Sequence, residues 1–216
     1  MNGREPFGSE NGDPVYDRFV FMDRDGVINA ERGDYTTTVE QWQWAPGALE
    51  GLRMLTEAGF GIIVVTNQAC IAKGLQTEEG LAALHDWMLG VIRENGGDIL
   101  RIYHCPHETS DGCSCRKPSP GMILQAAEDF GIELSRTFMI GNSLRDMEAG
   151  RRAGTRTIFI DTGPGADSSR TQFETGEFRA DDLAGATRIV FCETERKKKN
   201  IFSQRRKEKK EFGYPL

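Results

Sequence analysis

The chain has 216 residues, 38% of them apolar and 28% charged, with a net charge of −6. That length and balance suit one soluble domain able to bury a sizeable core, with short appendages. The longest apolar runs are only a few residues, such as Ile62 to Val65, which excludes a transmembrane helix. Five cysteines, an odd number with no secretion signal before them, argue against a disulfide scaffold.

Residues 1–16 are polar, contain Gly, Asn and Pro, and have no apolar signal core, so they read as a mobile leader. A domain is expected over 17–192. Its first strand is Arg18–Met22, and this strand runs straight into Asp23-Arg24-Asp25-Gly26-Val27-Ile28-Asn29. Residues i and i+2 of an extended strand point the same way, so Asp23 and Asp25 leave the sheet end together. One such carboxylate can attack while the other handles protons, and a cation can relieve their repulsion. The linker Glu31–Trp44 is long for a crossover and reads as a small flap, with Trp42 and Trp44 as packing residues.

A helix follows over Pro46–Ala58, with proline near its start and Gly59 just past its end. The second strand, Gly61–Thr66, ends in Thr66-Asn67-Gln68, a hydroxyl and amides suited to phosphate oxygens. In the helix Thr77–Glu94, Leu81, Leu84, Trp87, Met88 and Val91 recur at three- and four-residue spacing and make one apolar face.

After a third strand at Leu100–Tyr103 comes the pattern Cys105-x-His107-x5-Cys113-x-Cys115. Two close ligand pairs joined by a short loop can wrap one tetrahedral Zn²⁺ as Cys₃His, with no vacant position, so the metal would be structural. His104 lies off this spacing. Arg116 and Lys117 follow directly, before a helix over Gly121–Phe130 whose start Pro118 and Pro120 help fix. A lysine there can neutralise a transferring phosphoryl group, and an arginine can grip phosphate with two hydrogen bonds.

The fourth strand, Thr137–Ile140, ends in Gly141-Asn142-Ser143-Leu144-Arg145-Asp146 and leads into a helix over Leu144–Ala153. Asn142 and Asp146, four residues apart, can complete an oxygen-rich Mg²⁺ site. The bland alternative is an ordinary helix start with Ser143 as its cap. A fifth strand is expected at Thr157–Asp161. Strands alternating with helices predict an α/β fold, a doubly wound parallel sheet of Rossmann type with right-handed crossovers.

Residues 193–216 hold 9 Lys/Arg against 4 Asp/Glu, a net +5, which leaves the remainder at −11. An acidic body with a basic tail reads as a domain followed by a solvated, disordered extension. The acidic body disfavours nucleic acid as a partner; the tail is the one feature that argues for it.

Four polar strand ends in this order resemble the haloacid-dehalogenase-type phosphatases, whose pattern is Asp-x-Asp, Thr/Ser, Lys and Gly-Asp-x-x-x-Asp. The likeness spans Phe19 to Asp161. With the cysteine loop directly before Cys115-Arg116-Lys117-Pro118, the chain resembles the branch that holds heptose 1,7-bisphosphate phosphatases and histidinol-phosphate phosphatases. Asp23 to Asn29, Thr66-Asn67-Gln68 and Pro120-Gly121-Met122 look most like the heptose enzymes.

The resemblance implies a capless, cytoplasmic, monomeric enzyme that hydrolyses a small phosphate ester through an aspartyl-phosphate, using Mg²⁺ and carrying Zn²⁺. It implies Asp23 as nucleophile and Asp25 as general acid and base, with Asp23, Asp25, Asn142 and Asp146 around Mg²⁺. Thr66, Asn67, Gln68 and Lys117 would hold the phosphoryl group, Arg116 would recognise substrate, and the loop at Gly33 and Asp34 would contact it. Two positions depart from the pattern. Cys70-Ile71-Ala72-Lys73 stands where the branch has Gly-Ile-Ala-Arg, and Asn142 stands where it has a metal-binding aspartate. An amide oxygen can coordinate Mg²⁺ but brings no charge. Histidinol phosphate, a nucleic-acid 3′-phosphate, or a weakly catalytic binding role arising from Asn142 remain the alternatives.

Overall fold

A computed structural model of the chain describes residues 16–161 and 178–196. The expected leader apart from Tyr16, and the basic tail from 197 onward, lie outside the described residues. The chain runs β1 (Arg18–Met22), α1 (Ala48–Glu57), β2 (Phe60–Asn67), α2 (Glu78–Glu94), β3 (Arg101–Cys105), α3 (Gly121–Phe130), β4 (Phe138–Gly141), α4 (Leu144–Ala153), β5 (Arg156–Ile160) and β6 (Phe178–Ala180). A last helix, α5, covers 183–196. The strands form one six-stranded sheet in the order β3-β2-β1-β4-β5-β6, with every pairing parallel.

Alternation along the central strands divides the core into two layers. Val20 and Met22 of β1, with Ile62 and Val64 of β2, face α1, α2 and α5 through Leu52, Leu55, Leu84, Met88, Ile92, Leu183 and Val190. Phe21, Ile63 and Val65 face the other way, onto Met122, Ile123 and Ala126 of α3 and Ala149 and Ala153 of α4. Because both faces are covered, β2 is buried along nearly its whole length, which is why it reads as a continuous apolar run.

Successive strands step outward from β1 to β3, and the chain then returns to the opposite side of β1 with β4. The reversal leaves a crevice beyond the carboxyl ends of β1 and β4, where doubly wound sheets place ligands. Asp23 begins at this point, its N–H donating to the Ile140 carbonyl at 3.0 Å.

The linker after β1 is a compact flap. Ala30 N–H donates to the Gln43 carbonyl (2.7 Å) and Ala45 N–H to the Ile28 carbonyl (2.9 Å), which closes its base. Trp42, buried, meets Trp44 edge-on at 5.4 Å and Trp87 of α2 at 5.6 Å, so these tryptophans pack the flap down as expected. β6 and α5 were not anticipated from sequence. Residues 193–196, expected to begin the tail, are the last turn of α5, and Glu193 pairs there with Arg156. No helix among the described residues is long and apolar enough to cross a membrane.

Candidate active site at the β1–β4 crevice

The centre of the site is a buried chain of charges. Lys117 Nζ lies 2.9 Å from Asp23 Oδ1 and 2.6 Å from Asp146 Oδ1, joining the ends of β1 and β4 through one ammonium. Burial alone would lower the lysine pKa, but the carboxylates of Asp146 and then Asp23 outweigh it and raise it, so the charge is secure. Burial pushes Asp23 up to about 7 against the pull of Lys117, and repulsion from Asp146 and Asp25 adds to the rise.

Asp146 has two roles. Its Oδ2 accepts from Ser143 N–H (3.0 Å) and the Ser143 hydroxyl (2.7 Å), a capping box that starts α4. Its fully buried Oδ1 meets Lys117 without hydrogen-bond alignment. Gly141 permits this geometry, since a Cβ there would lie 2.3 Å from the Asp146 Cβ. Asp146 therefore serves both the helix start and the charge chain.

Asp25 sits in a different environment. Its Oδ1 accepts from Arg24 (3.0 Å) and Asn29 (2.9 Å), and its Oδ2 accepts from Gln68 (2.8 Å). Burial pushes its carboxyl up, but the Arg24 guanidinium and these donors prevail and hold it below the ordinary range. Two neighbouring carboxylates are thus driven in opposite directions, a pattern typical of acid–base sites.

Thr66 and Gln68 are buried at the end of β2, where the Gln68 amide also donates to the Thr66 hydroxyl at 2.8 Å. Asn67 uses both ends of its amide on the Lys117 backbone, donating to its carbonyl (3.1 Å) and accepting from its N–H (3.0 Å). In this structure its contribution is to place Lys117. Arg116 turns onto the cysteine loop, donating to the His107 carbonyl (2.9 Å) and the Thr109 hydroxyl (3.3 Å). Gly33 and Asp34 lie exposed in the flap, where Asp34 accepts from the Tyr35 N–H at 2.7 Å.

Asn142 lies against Gly26 in the turn after Asp25. A Cβ on Gly26 would fall 1.8 Å from the Asn142 amide nitrogen, and the glycine's φ of +80° is a left-handed value, so only glycine fits. The amide donates to Glu31 Oε2 at 2.9 Å.

Mg²⁺ prefers oxygen donors. Lys117 and Ser143 occupy the two carboxylate oxygens of Asp146, so the carboxylate of Asp23 and the amide oxygen of Asn142 are the ones on offer to it at the β1–β4 crevice.

The cysteine loop makes a second cluster. Cys105 Sγ, His107 Nδ1, Cys113 Sγ and Cys115 Sγ all lie within 4.8 Å of one another. Close pairs stand at 3.2 to 3.6 Å, near the roughly 3.8 Å between thiolates that share a tetrahedral Zn²⁺. Burial drives Cys105 up to about 12, whereas Cys113, despite its own slight burial, is held down to about 7 by the hydrogen bond from Cys115. Thiols crowded in this way gain most from a soft cation that replaces their protons.

Sequence reasoning missed Arg24, although its place is legible in the motif. Between two aspartates that point one way, residue 24 must point the other, into the apolar layer. There it is buried, its guanidinium 5.8 Å from the Trp42 ring centre and donating to His85 at 3.1 Å. His85, on the inner face of α2 between Leu84 and Met88, was also missed.

Residues 114–186 match the HAD-hydrolase-like family model. A D-glycero-beta-D-manno-heptose-1,7-bisphosphate 7-phosphatase of Pseudomonas aeruginosa is 38% identical over 165 residues, covering 76% of this chain and 93% of that protein. The chain belongs to the haloacid-dehalogenase-type phosphatases. A Photorhabdus laumondii relative, named for the alpha anomer of the same bisphosphate, is 40% identical over 66% of this chain and 81% of its own. Among solved structures, the D,D-heptose 1,7-bisphosphate phosphatase of B. bronchiseptica, complexed with magnesium and phosphate, aligns with a TM-score of 0.78 at 33% identity. That alignment covers 82% of this chain and 99% of the other. The family reading and the parallel α/β fold expected from sequence both hold.

Proposed function

We propose that this chain is a Mg²⁺-dependent phosphatase that removes a phosphate from heptose 1,7-bisphosphate through an aspartyl-phosphate on Asp23. The observation that carries this reading is the buried Asp23–Lys117–Asp146 chain at the sheet's switch point, in a chain whose relatives are named for that substrate.

An Asp23 carboxylate oxygen attacks phosphorus, the new bond forms as the bond to the sugar oxygen breaks, and Asp25 gives that oxygen its proton. Asp25 then takes a proton from water, the water oxygen attacks the same phosphorus, and inorganic phosphate leaves with Asp23 restored. The depressed pKa of Asp25 keeps it ionised to take that proton in the second half; the approach of a phosphate dianion raises it for the first. Lys117 neutralises charge on the transferring group, and the Thr66 hydroxyl lies at the end of the neighbouring strand to donate to it. Asp23, the Asp25 carbonyl and Asn142 would hold Mg²⁺, which would supply further neutralisation of the phosphate oxygens. Cys105, His107, Cys113 and Cys115 would hold a Zn²⁺, fixing the loop from which Arg116 and Lys117 project.

Phosphate release measured over both anomers of heptose 1,7-bisphosphate, histidinol phosphate and a 3′-phosphorylated oligonucleotide tests the substrate. The heptose bisphosphate is expected to give the highest kcat/KM. The relatives carry both anomeric names at similar identity, so the panel also fixes the preferred anomer. Efficient cleavage of the oligonucleotide would contradict the reading.

A further inference from the structure

We infer that Glu31, in the flap, is a positioning residue for the metal site, acting through Asn142 to restore what the loss of an aspartate at that position removes. The inference rests on the Mg²⁺ reading above. Its basis is the hydrogen bond from the Asn142 amide nitrogen to Glu31 Oε2 at 2.9 Å. A carboxylate accepts and never donates when ionised, so Glu31 can bind only the nitrogen end of that amide. The bond therefore fixes the amide's rotation and leaves Oδ1 as the end available to a cation.

The partnership also carries charge. An amide whose N–H groups face a carboxylate is polarised, and its oxygen becomes a better ligand for a hard cation. Glu31 adds a negative charge one residue away from the site without itself having to reach the metal. The contact spans most of the domain's length in sequence but very little in space: Gly26 turns the chain after Asp25, and the Asn142 amide occupies the place its side chain would fill. The base of the flap is tied by the Ala30–Gln43 and Ala45–Ile28 backbone hydrogen bonds, so Glu31 is delivered by a closed loop. Neighbouring Arg32 turns away, donating to the Gln41 carbonyl at 3.1 Å, and does not neutralise it at this contact. An aspartate at this position would instead face Glu31 as a like charge.

Mg²⁺ titration calorimetry and Mn²⁺ electron paramagnetic resonance on zinc-loaded protein test this without relying on turnover. Four proteins are compared: wild type, Glu31→Gln, Asn142→Asp and the double variant. Glu31→Gln should weaken Mg²⁺ binding by about three- to tenfold, the effect of one screened charge near a divalent ion. Its melting temperature without added Mg²⁺ should stay at the wild-type value, because an amide can still accept the hydrogen bond. Asn142→Asp should tighten Mg²⁺ binding but lower the melting temperature without Mg²⁺, and adding Glu31→Gln should restore that temperature. The loss of affinity caused by Glu31→Gln should be smaller when Asn142→Asp is already present.

Wild-type Mg²⁺ affinity in Glu31→Gln overturns the inference. An equal loss with and without Asn142→Asp also overturns it, because Glu31 would then act as a general charge and not through the amide. If wild-type protein binds no Mg²⁺ at all, the metal reading fails together with it, which separates that failure from one confined to Glu31.

Discussion

At the scale of single residues, the site works by giving neighbouring groups opposite surroundings. Asp23 is buried against Lys117, while Asp25 is wrapped by Arg24, Asn29 and Gln68. Asp25→Asn keeps the side chain's size but turns an NH₂ group toward the Gln68 amide donor, which must give way; it should leave substrate KM near wild type and lower kcat by about 10²- to 10⁴-fold, the usual worth of positioned proton transfer. Pre-steady-state phosphate release would show whether the loss lies in chemistry; an unchanged kcat would remove Asp25 from the mechanism. Arg24 carries a further consequence. Burial, the Arg24 guanidinium and His104 together press His85 from 6.5 down to about 3. The unfolded chain therefore takes up a proton below about pH 6.5 that the folded protein refuses. Stability from this group is complete above that pH and is lost as pH falls toward 3, by at most about 1.4 kcal/mol per pH unit. His85→Gln keeps a neutral acceptor for Arg24 and should lose less stability between about pH 7 and 4.5 in urea titrations. Parallel curves for the two proteins would contradict this. The paired aspartates were legible as a motif that follows an apolar strand, although both lie past its end at Met22. The Arg24–His85 contact was not, since it joins residues 61 positions apart on different elements.

At the scale of elements, the strand ends and the cysteine loop are one construction. β3 ends in Cys105, the loop returns through Cys113 and Cys115, and Asn67 at the end of β2 clasps the Lys117 backbone. Purified protein should contain one Zn²⁺ per chain. Cys113→Ser should lose the metal, and kcat/KM should fall with it, since Arg116 and Lys117 hang from the same loop. Elemental analysis decides: full zinc content in an intact Cys113→Ser protein would count against the ligand set. The spacing alone revealed this loop, because ligand pairs so close in sequence need no tertiary information. The five expected strands and four expected helices also match the structure to within a residue or two, because the helices carry a clear apolar face and the short strands are compact apolar runs. β6 and α5 escaped for opposite reasons. β6 has only three residues, half-exposed, and gives almost no periodic signal. α5 has a buried stripe of Leu183, Ala186 and Val190, but its end runs into basic sequence whose composition reads as tail.

At the scale of the whole molecule, the order of strands produces the site. β1 lies between β2 and β4, so the chain reversal opens a crevice where residues from 23 to 146 converge. The body without its basic end carries −11 from its composition, which suits a small anion neutralised locally more than an extended polyanion. The central claim is that this convergence makes Asp23 the nucleophile toward a heptose bisphosphate. Its most direct test is the initial rate of phosphate release from heptose 1,7-bisphosphate by wild type and Asp23→Asn, in saturating Mg²⁺ and with folding checked by circular dichroism. Robust turnover by wild type and none above background by the folded variant is the predicted result. Turnover by Asp23→Asn at the wild-type rate, or none by either protein, would contradict it.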